Sequence, residues 1–416
     1  MLYYTLNTII AHYFEMMRFN KLEQKKNRIL YFDGLRGLMA IIVAYGHFFG
    51  ETKLFMLSHY PDAFPYWLSK FYEFTETTPF VFTINGNFAT IVFFILSGAI
   101  LLGAFKANRT FIASLIRRFI RLGVPVFASC IIGYILVKSG FRYDHDENVA
   151  FDEVIKQGIL TLYTTDFSTR FLNPVIWSMS TEFMGSLLLL IVAQVGRNNS
   201  RHGILLLFLF TIFSYGYYVF FLLIGAWISI LFADEKTSNL FNNKEKYVIT
   251  LLMILAIVIL QSCPVFYPWG WIFIPGNYFV APLINMQDLS IPGMFPYHPY
   301  EFLRGVGAIL LLILVMSRGY IRDFLSTKLV QFFGKISFSL YLVHWLVLSS
   351  AIMPINLYVY IHTNNVYLAY IASFLVFVTL SLIGSMIFYQ LIEKKSVILS
   401  RTVGKTLDNF ISKAKI

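Results

Sequence analysis

The sequence predicts an all-α fold: a polytopic helical membrane bundle of about ten transmembrane helices, with both termini cytoplasmic. Three observations carry this. Hydrophobic residues make up 57% of the 416-residue chain and charged residues only 13%, with a mean hydropathy of +0.67, too apolar for an ordinary soluble domain. The apolar residues fall in blocks near 30–50, 82–105, 119–138, 175–195, 203–232, 247–263, 302–316, 336–352 and 366–390. The basic residues cluster in short runs between those blocks, which is how membrane orientation is encoded. The formal net charge of +11 is therefore read as topology, with the lipid bilayer as partner and no nucleic acid.

Taken in order, residues 1–28 alternate apolar and aromatic groups with Glu15, Arg18, Lys21, Glu23 and the Lys25-Lys26 pair. That pattern predicts an interfacial amphipathic segment rather than a cleavable signal. Residues 29–395 form the membrane domain, and 396–416 a basic cytoplasmic tail. Within the domain, Gly203–Phe232 is ambiguous: a helix of that length would be about 45 Å long, half again the roughly 30 Å hydrocarbon thickness, and Tyr215-Gly216-Tyr217 interrupts it. Charge decides. Read as two short spans, the block puts the loops carrying Arg18–Arg28, Lys106–Arg121, Arg197 with Arg201, Lys236–Lys246, Arg318–Lys335 and Lys394–Lys415 on one side, with 25 of the 33 basic residues. A single span would send the Arg318–Lys335 cluster outside. Two outer loops are long, about 51–81 and 139–173, the second mildly acidic and read as solvated. No internal repeat is evident, which disfavours repeat-built transporters. Cys130 and Cys263 lie in or beside apolar segments, so neither a disulfide framework nor a metal site is expected.

Arg36 and His47 sit inside the first apolar block, and an ionisable pair at membrane depth is a functional clue by default. They are eleven residues apart. At 100° per residue that returns the helix to within about 20° of the same face, with the side chains about 16 Å apart along the axis.

The string DGLRGLMAIIVAYGH at 33–47 resembles the first-helix signature of the acyltransferase-3 family of membrane proteins, an Arg-Gly followed at fixed spacing by His. FFILSG at 93–98, RRFIRLGVP at 117–125, WSMSTEFMGS at 177–186 and ISFSLYLVH at 336–344 are similar to later motifs of that family, in family order. The resemblance implies about ten helices and transfer of an acyl group, commonly acetyl, from a cytoplasmic coenzyme A thioester to a hydroxyl, often on an extracytoplasmic glycan. Two departures stand out. The basic motif has an extra residue before Pro125, and no soluble hydrolase-like domain follows the last span, so the acceptor falls to the membrane domain or to a partner.

Each candidate residue has a plain alternative. Arg36 could snorkel or pair with Asp33 at i,i+3; functionally, its forked donors suit the phosphates or thioester of an acyl-CoA. His47 could be a satisfied interfacial histidine; functionally, it is a general base for a hydroxyl. Glu182 is placed in a span starting with Asn173 as N-cap and Pro174 at N1, about 12 Å in from the outer side and level with His47. A lone carboxylate there needs a partner, and orienting His47 or steadying its imidazolium explains it best, with a structural bridge as the alternative. Arg118 and Arg121 share a face at the mouth of the third span and suit coenzyme A phosphates, with Arg117 the least suited of the three; positive-inside bias alone is the alternative for all of them. His344 is read as hydrogen-bonded packing, Glu301 and Arg304 as a mutual pair, Trp177, Ser178 and Ser97 as packing residues, and Cys130 as unactivated.

The expected function is an integral-membrane O-acyltransferase. Acyl-CoA, with acetyl-CoA the commonest case, is the donor at Arg36, Arg118 and Arg121. His47 is the base or transient acyl carrier, Glu182 orients it, and a glycan or lipid-linked saccharide is the acceptor. No metal is called for, a homo-oligomer is compatible with the sequence but not required by it, and the expected location is the bacterial inner membrane. Two rivals remain: a transporter or flippase using Arg, His and Glu as a relay, and an acyltransferase acting on a small cytoplasmic-side acceptor.

Overall fold

The computed structural model describes residues 30–105, 110–142, 149–162, 171–232, 247–262, 294–297 and 299–413. The 1–28 segment, the Lys236–Lys246 loop, Cys263, Asp144, Asp146, Glu147 and Asp166 lie outside them. Among the described residues the fold is all-helical, save one isolated bridge between Tyr217 and Pro296. The helices are α1 Leu30–His59, α2 Tyr66–Thr77, α3 Gly86–Ala104, α4 Phe111–Lys138, α5 Asp152–Ile159, α6 Trp177–Asn198, α7 Ser200–Phe213, α8 Val219–Phe232, α9 Tyr247–Gln261, α10 Pro299–Ser317, α11 Gly319–Leu325, α12 Lys328–Val347, α13 Met353–Thr363, α14 Val366–Phe388 and α15 Lys394–Lys413.

Side-chain caps close the N-terminal ends of four of the described helices. Asn85, Thr110, Asn199 and Asn365 each accept from a backbone N–H in the first turn of α3, α4, α7 and α14, satisfying donors that have no helical partner. Asn364 ends α13 in the left-handed region, at φ 49°, so adjacent asparagines stop one helix and start the next. The expected cap at Asn173 is not formed. Its Nδ2 instead donates to the Leu342 carbonyl at 3.0 Å, Pro174–Ile176 is a 3₁₀ turn, and α6 starts at Trp177.

Gly203–Phe232 is two helices, as charge parity required. The break carries Gly216 at φ 92° and is held by Tyr218 N–H to the Phe295 carbonyl and Tyr297 N–H to the Gly216 carbonyl, both 2.9 Å. Trp227 Nε1 donates to Thr211 Oγ1 at 3.0 Å; in one continuous helix those residues would be about 24 Å apart. Elsewhere the loop expected at 51–81 is largely helical, because α1 runs on to His59 and α2 follows. Among the described residues, five helical stretches are long and apolar enough to cross a membrane, or six if Glu301–Ser317 and Gly319–Leu325, bent by 96°, count as one. α7, α8 and α9 are apolar but only 14, 14 and 15 residues long, about 21–23 Å. The protein is thus a helical membrane protein; the count of ten spans and the cytoplasmic termini rest on the charge distribution.

Glycines set the closest helix crossings. A Cβ on Gly98 of α3 would lie 1.7 Å from the Leu222 carbonyl oxygen of α8, and one on Gly225 2.0 Å from that of Ile95. Such small-residue contacts let helices approach where lipid supplies no hydrophobic drive. The clash is with backbone, so a side chain cannot swing away. Gly98→Ala is expected to destabilise the fold by about 1–3 kcal/mol or more, read as a lower melting temperature in detergent.

Candidate active site

The same device fixes the register of α1 against α12. A Cβ on Gly37 would lie 2.5 Å from the Gly334 amide nitrogen, and one on Gly334 2.3 Å from the Asp33 carbonyl. Ten residues further along each helix, His47 and His344 meet, so the two helices run parallel and in step. His47 Nδ1 and His344 Nε2 are 2.8 Å apart, and His344 Nδ1 lies 2.9 Å from the Leu340 carbonyl. The ring planes differ by 11° with centroids 5.1 Å apart, close to the bond length plus two ring radii, so the imidazoles meet edge to edge. Trp345 packs perpendicular to His47 at 5.1 Å, and its buried Nε1 has no hydrogen-bond partner among the described residues. His344 is fully buried, while His47 is partly exposed.

Below this pair lies a cavity of about 1020 Å³ between α1, α3, α4, α6, α12 and α15, at the large end for small-molecule and cofactor sites. Among the described residues, six cationic side chains line it: Arg36, Arg118, Arg121, Lys335, Lys394 and Arg401. Asp33, Glu182 and Glu393 are its acidic members, which leaves a cationic surplus suited to a polyanion. At its other end stand Thr90, Phe93, Phe94, Ser178 and Tyr341. The Tyr341 hydroxyl donates to the Val175 carbonyl at 2.9 Å and lies 2.8 Å from Ser178 Oγ. Its ring centroid is 6.1 Å from that of His344, so the histidine pair begins one turn of α12 beyond the cavity wall.

Four of the five residues singled out from the sequence, Arg36, Arg118, Arg121 and Glu182, share this cavity. The expected pairing of Glu182 with His47 is not what forms. Glu182 Oε1 accepts from Arg118, and His47 has His344. The reason is depth. α4 begins at Phe111, so Arg118 sits about 10 Å up the helix rather than at its mouth, and its long side chain reaches the carboxylate. Arg121 is open to the cavity and makes no hydrogen bond or ion pair among the described residues. Arg117, the least suited of the three, turns away to Asp408 on α15. Glu301 and Arg304 do pair, loosely, at 3.9 Å, with Glu301 also held by Asn87 and Tyr218. Ser97 lines the cavity, Trp177 packs among Phe94, Tyr218 and Phe295, and Cys130 is buried and free.

Helix α15, which covers most of the 396–416 segment expected as a basic tail and starts two residues before it, builds one wall. Lys394, Val397, Ile398 and Arg401 all face the cavity, the i, i+3, i+4, i+7 spacing of one helical face, a signal legible in the sequence. α15 is anchored to α4 by Ser396 Oγ to the Ile120 carbonyl at 2.9 Å. Asp408 adds contacts to Arg117 and to the capping residue Thr110. A π-helical turn, Tyr389–Glu393, joins α14 to α15 and aims Tyr389 and Glu393 inward. Glu393 accepts from Ser339 Oγ at 2.5 Å, and Lys335 Nζ sits 5.2 Å from the centre of the Tyr389 ring. Such turns recur at functional sites. Glu393 and Lys335 carried no signal that set them apart from other charged residues at span ends.

The sequence profile of the acyltransferase-3 family, described as an acyltransferase domain, matches residues 29–390. No curated protein and no solved structure matches the chain.

Proposed function

The chain belongs to the acyltransferase-3 family, and from that premise we propose that this membrane acyltransferase uses an acyl-CoA donor, acetyl-CoA being the commonest case. The acceptor in this reading is a hydroxyl on an extracytoplasmic glycan or lipid-linked saccharide, and the site is the bacterial inner membrane. The observation that carries the donor half is the cationic surplus of a large cavity at the Arg36 end of α1. A diphosphate and a further phosphate need several guanidinium or ammonium groups, and guanidinium forks match phosphate oxygens. Arg121 is the foremost ligand because its donors are uncommitted within the fold; Arg36, Lys394 and Arg401 stand with it, and Arg118 contributes while tethered to Glu182.

The chemistry falls to His47. With the phosphates held low, the pantetheine arm runs up towards Tyr341, across the about 16 Å that separates Arg36 from His47 along α1. His47 takes the proton of the acceptor hydroxyl, and the oxygen attacks the thioester carbonyl. The C–S bond then breaks, and the leaving thiolate takes that proton from His47. Transient acylation of His47 would use the same placement. The family membership favours transfer over the transporter reading.

Donor binding tests this directly. Arg121→Ala is expected to weaken acyl-CoA affinity by about 1.5–3 kcal/mol, the worth of one charge-assisted contact, measured by calorimetry on purified protein, with less change in turnover at saturating donor. Arg118→Ala is a poorer probe, since stranding Glu182 in a nearly buried site itself costs about 3–5 kcal/mol. Wild-type affinity in Arg121→Ala would move the donor out of this cavity.

A further inference from the structure

We infer that His344 is a positioning residue that fixes the tautomer of His47, so that the base lone pair stands on Nε2; this rests on the reading of His47 as the base. The chain of donors and acceptors leaves one consistent assignment. The Leu340 carbonyl can only accept, so the His344 nitrogen facing it at 2.9 Å, Nδ1, carries the hydrogen. A neutral imidazole has one N–H, so His344 Nε2 holds a lone pair. The hydrogen in the 2.8 Å contact between the rings therefore belongs to His47 Nδ1. His47 Nε2 is left with its lone pair, and it makes no hydrogen bond among the described residues. The opposite tautomer of His344 would set two lone pairs against each other at the carbonyl. A doubly protonated His344 would place a charge on a fully buried side chain to which no carboxylate is hydrogen-bonded among the described residues, a costly arrangement at membrane depth.

Three features hold this arrangement in place. The glycine contacts of α1 with α12 set the register ten residues below, the perpendicular Trp345 ring restrains the His47 ring, and the nearly coplanar rings keep the N–H aimed at its acceptor. When His47 takes a proton at Nε2, the resulting imidazolium donates through Nδ1 to His344 Nε2. The His344 dipole is already oriented by Leu340 to receive it. His344 then does what a carboxylate does in a hydrolase triad, without a second ionised group to desolvate.

The test compares His344→Leu, His344→Gln and His47→Ala as purified full-length protein in nanodiscs, with acetyl-CoA and a saccharide acceptor. Leucine fills the space but accepts nothing; the glutamine side-chain oxygen can accept from His47 Nδ1–H. His344→Leu is expected to lower kcat by about 100-fold or more, with KM for acetyl-CoA unchanged. His344→Gln should recover about tenfold or more of that loss. If His344→Leu does not yield monodisperse protein, His344→Ala with added imidazole replaces it. There kcat should climb with imidazole concentration, and a flat response counts against the inference. Equal kcat in the leucine and glutamine variants, or a wild-type kcat in His344→Leu beside an inactive His47→Ala, would reduce His344 to packing while leaving His47 as the base. Full turnover in His47→Ala would instead remove the reading on which the inference rests.

Discussion

His47→Ala is expected to slow acyl transfer by about 10²–10⁴-fold, the usual contribution of a positioned base, while acyl-CoA still binds with wild-type affinity. The split follows from the geometry. His47 lies beyond Tyr341, outside the wall of the cationic cavity, so its removal deletes no phosphate contact. It does leave His344 Nε2 without its donor on a fully buried residue, which costs stability. His47→Gln answers that objection, because its amide can still donate to His344 but cannot act as a base. Both variants should bind donor and transfer almost nothing, with turnover followed by release of free thiol in the presence of acceptor. Full activity in His47→Gln would take the base role from His47. Loss of donor affinity in both would put His47 on the coenzyme path and merge what are here two zones, one for binding and one for chemistry.

The helices were legible in the sequence because hydrophobicity is a local property, whereas the one cap read from it, at Asn173, does not form. Each apolar block is a helix where it is described, and Gly203–Phe232 splits where Tyr215-Gly216-Tyr217 breaks the pattern. The cavity arginines were legible in part, since Arg118 and Arg121 three residues apart share a face; Arg117, four residues from Arg121, is kept out of the cavity by its pairing with Asp408 and not by helical spacing. Partnerships were harder to read. Placing Glu182 beside His47 required the start of α6, the start of α4 and the reach of an arginine, and small errors in each were enough to exchange one partner for another. His344 was visible as a histidine in a span, but its meeting with His47 depends on the parallel register of α1 and α12. That register is set by Gly37 against Gly334, residues 297 positions apart. A contact of that separation leaves no periodic trace in either segment. The tail was misread for a different reason: mixed basic and apolar residues look the same whether a helix lies on lipid or on protein.

The second large effect is expected from that tail. α15 lies beyond the residues 29–390 that match the family profile, yet it supplies Lys394 and Arg401, two of the six cations lining the cavity. If the cavity holds the phosphates of acyl-CoA, Lys394→Ala with Arg401→Ala should weaken donor affinity by about 3–6 kcal/mol, two charge-assisted contacts taken as additive. Turnover at saturating donor should change little, because neither residue is near His47. Asp408→Asn addresses the same wall without touching its lining. It weakens the tie from α15 to Arg117 and Thr110, so α15 should loosen and donor affinity should fall, by less than in the double variant. Calorimetric titration of acetyl-CoA into the three proteins distinguishes the cases. A double variant with wild-type affinity would mean that α15 merely covers the cavity, and the phosphates would then have to be held by Arg36, Arg121 and Lys335 from the other walls.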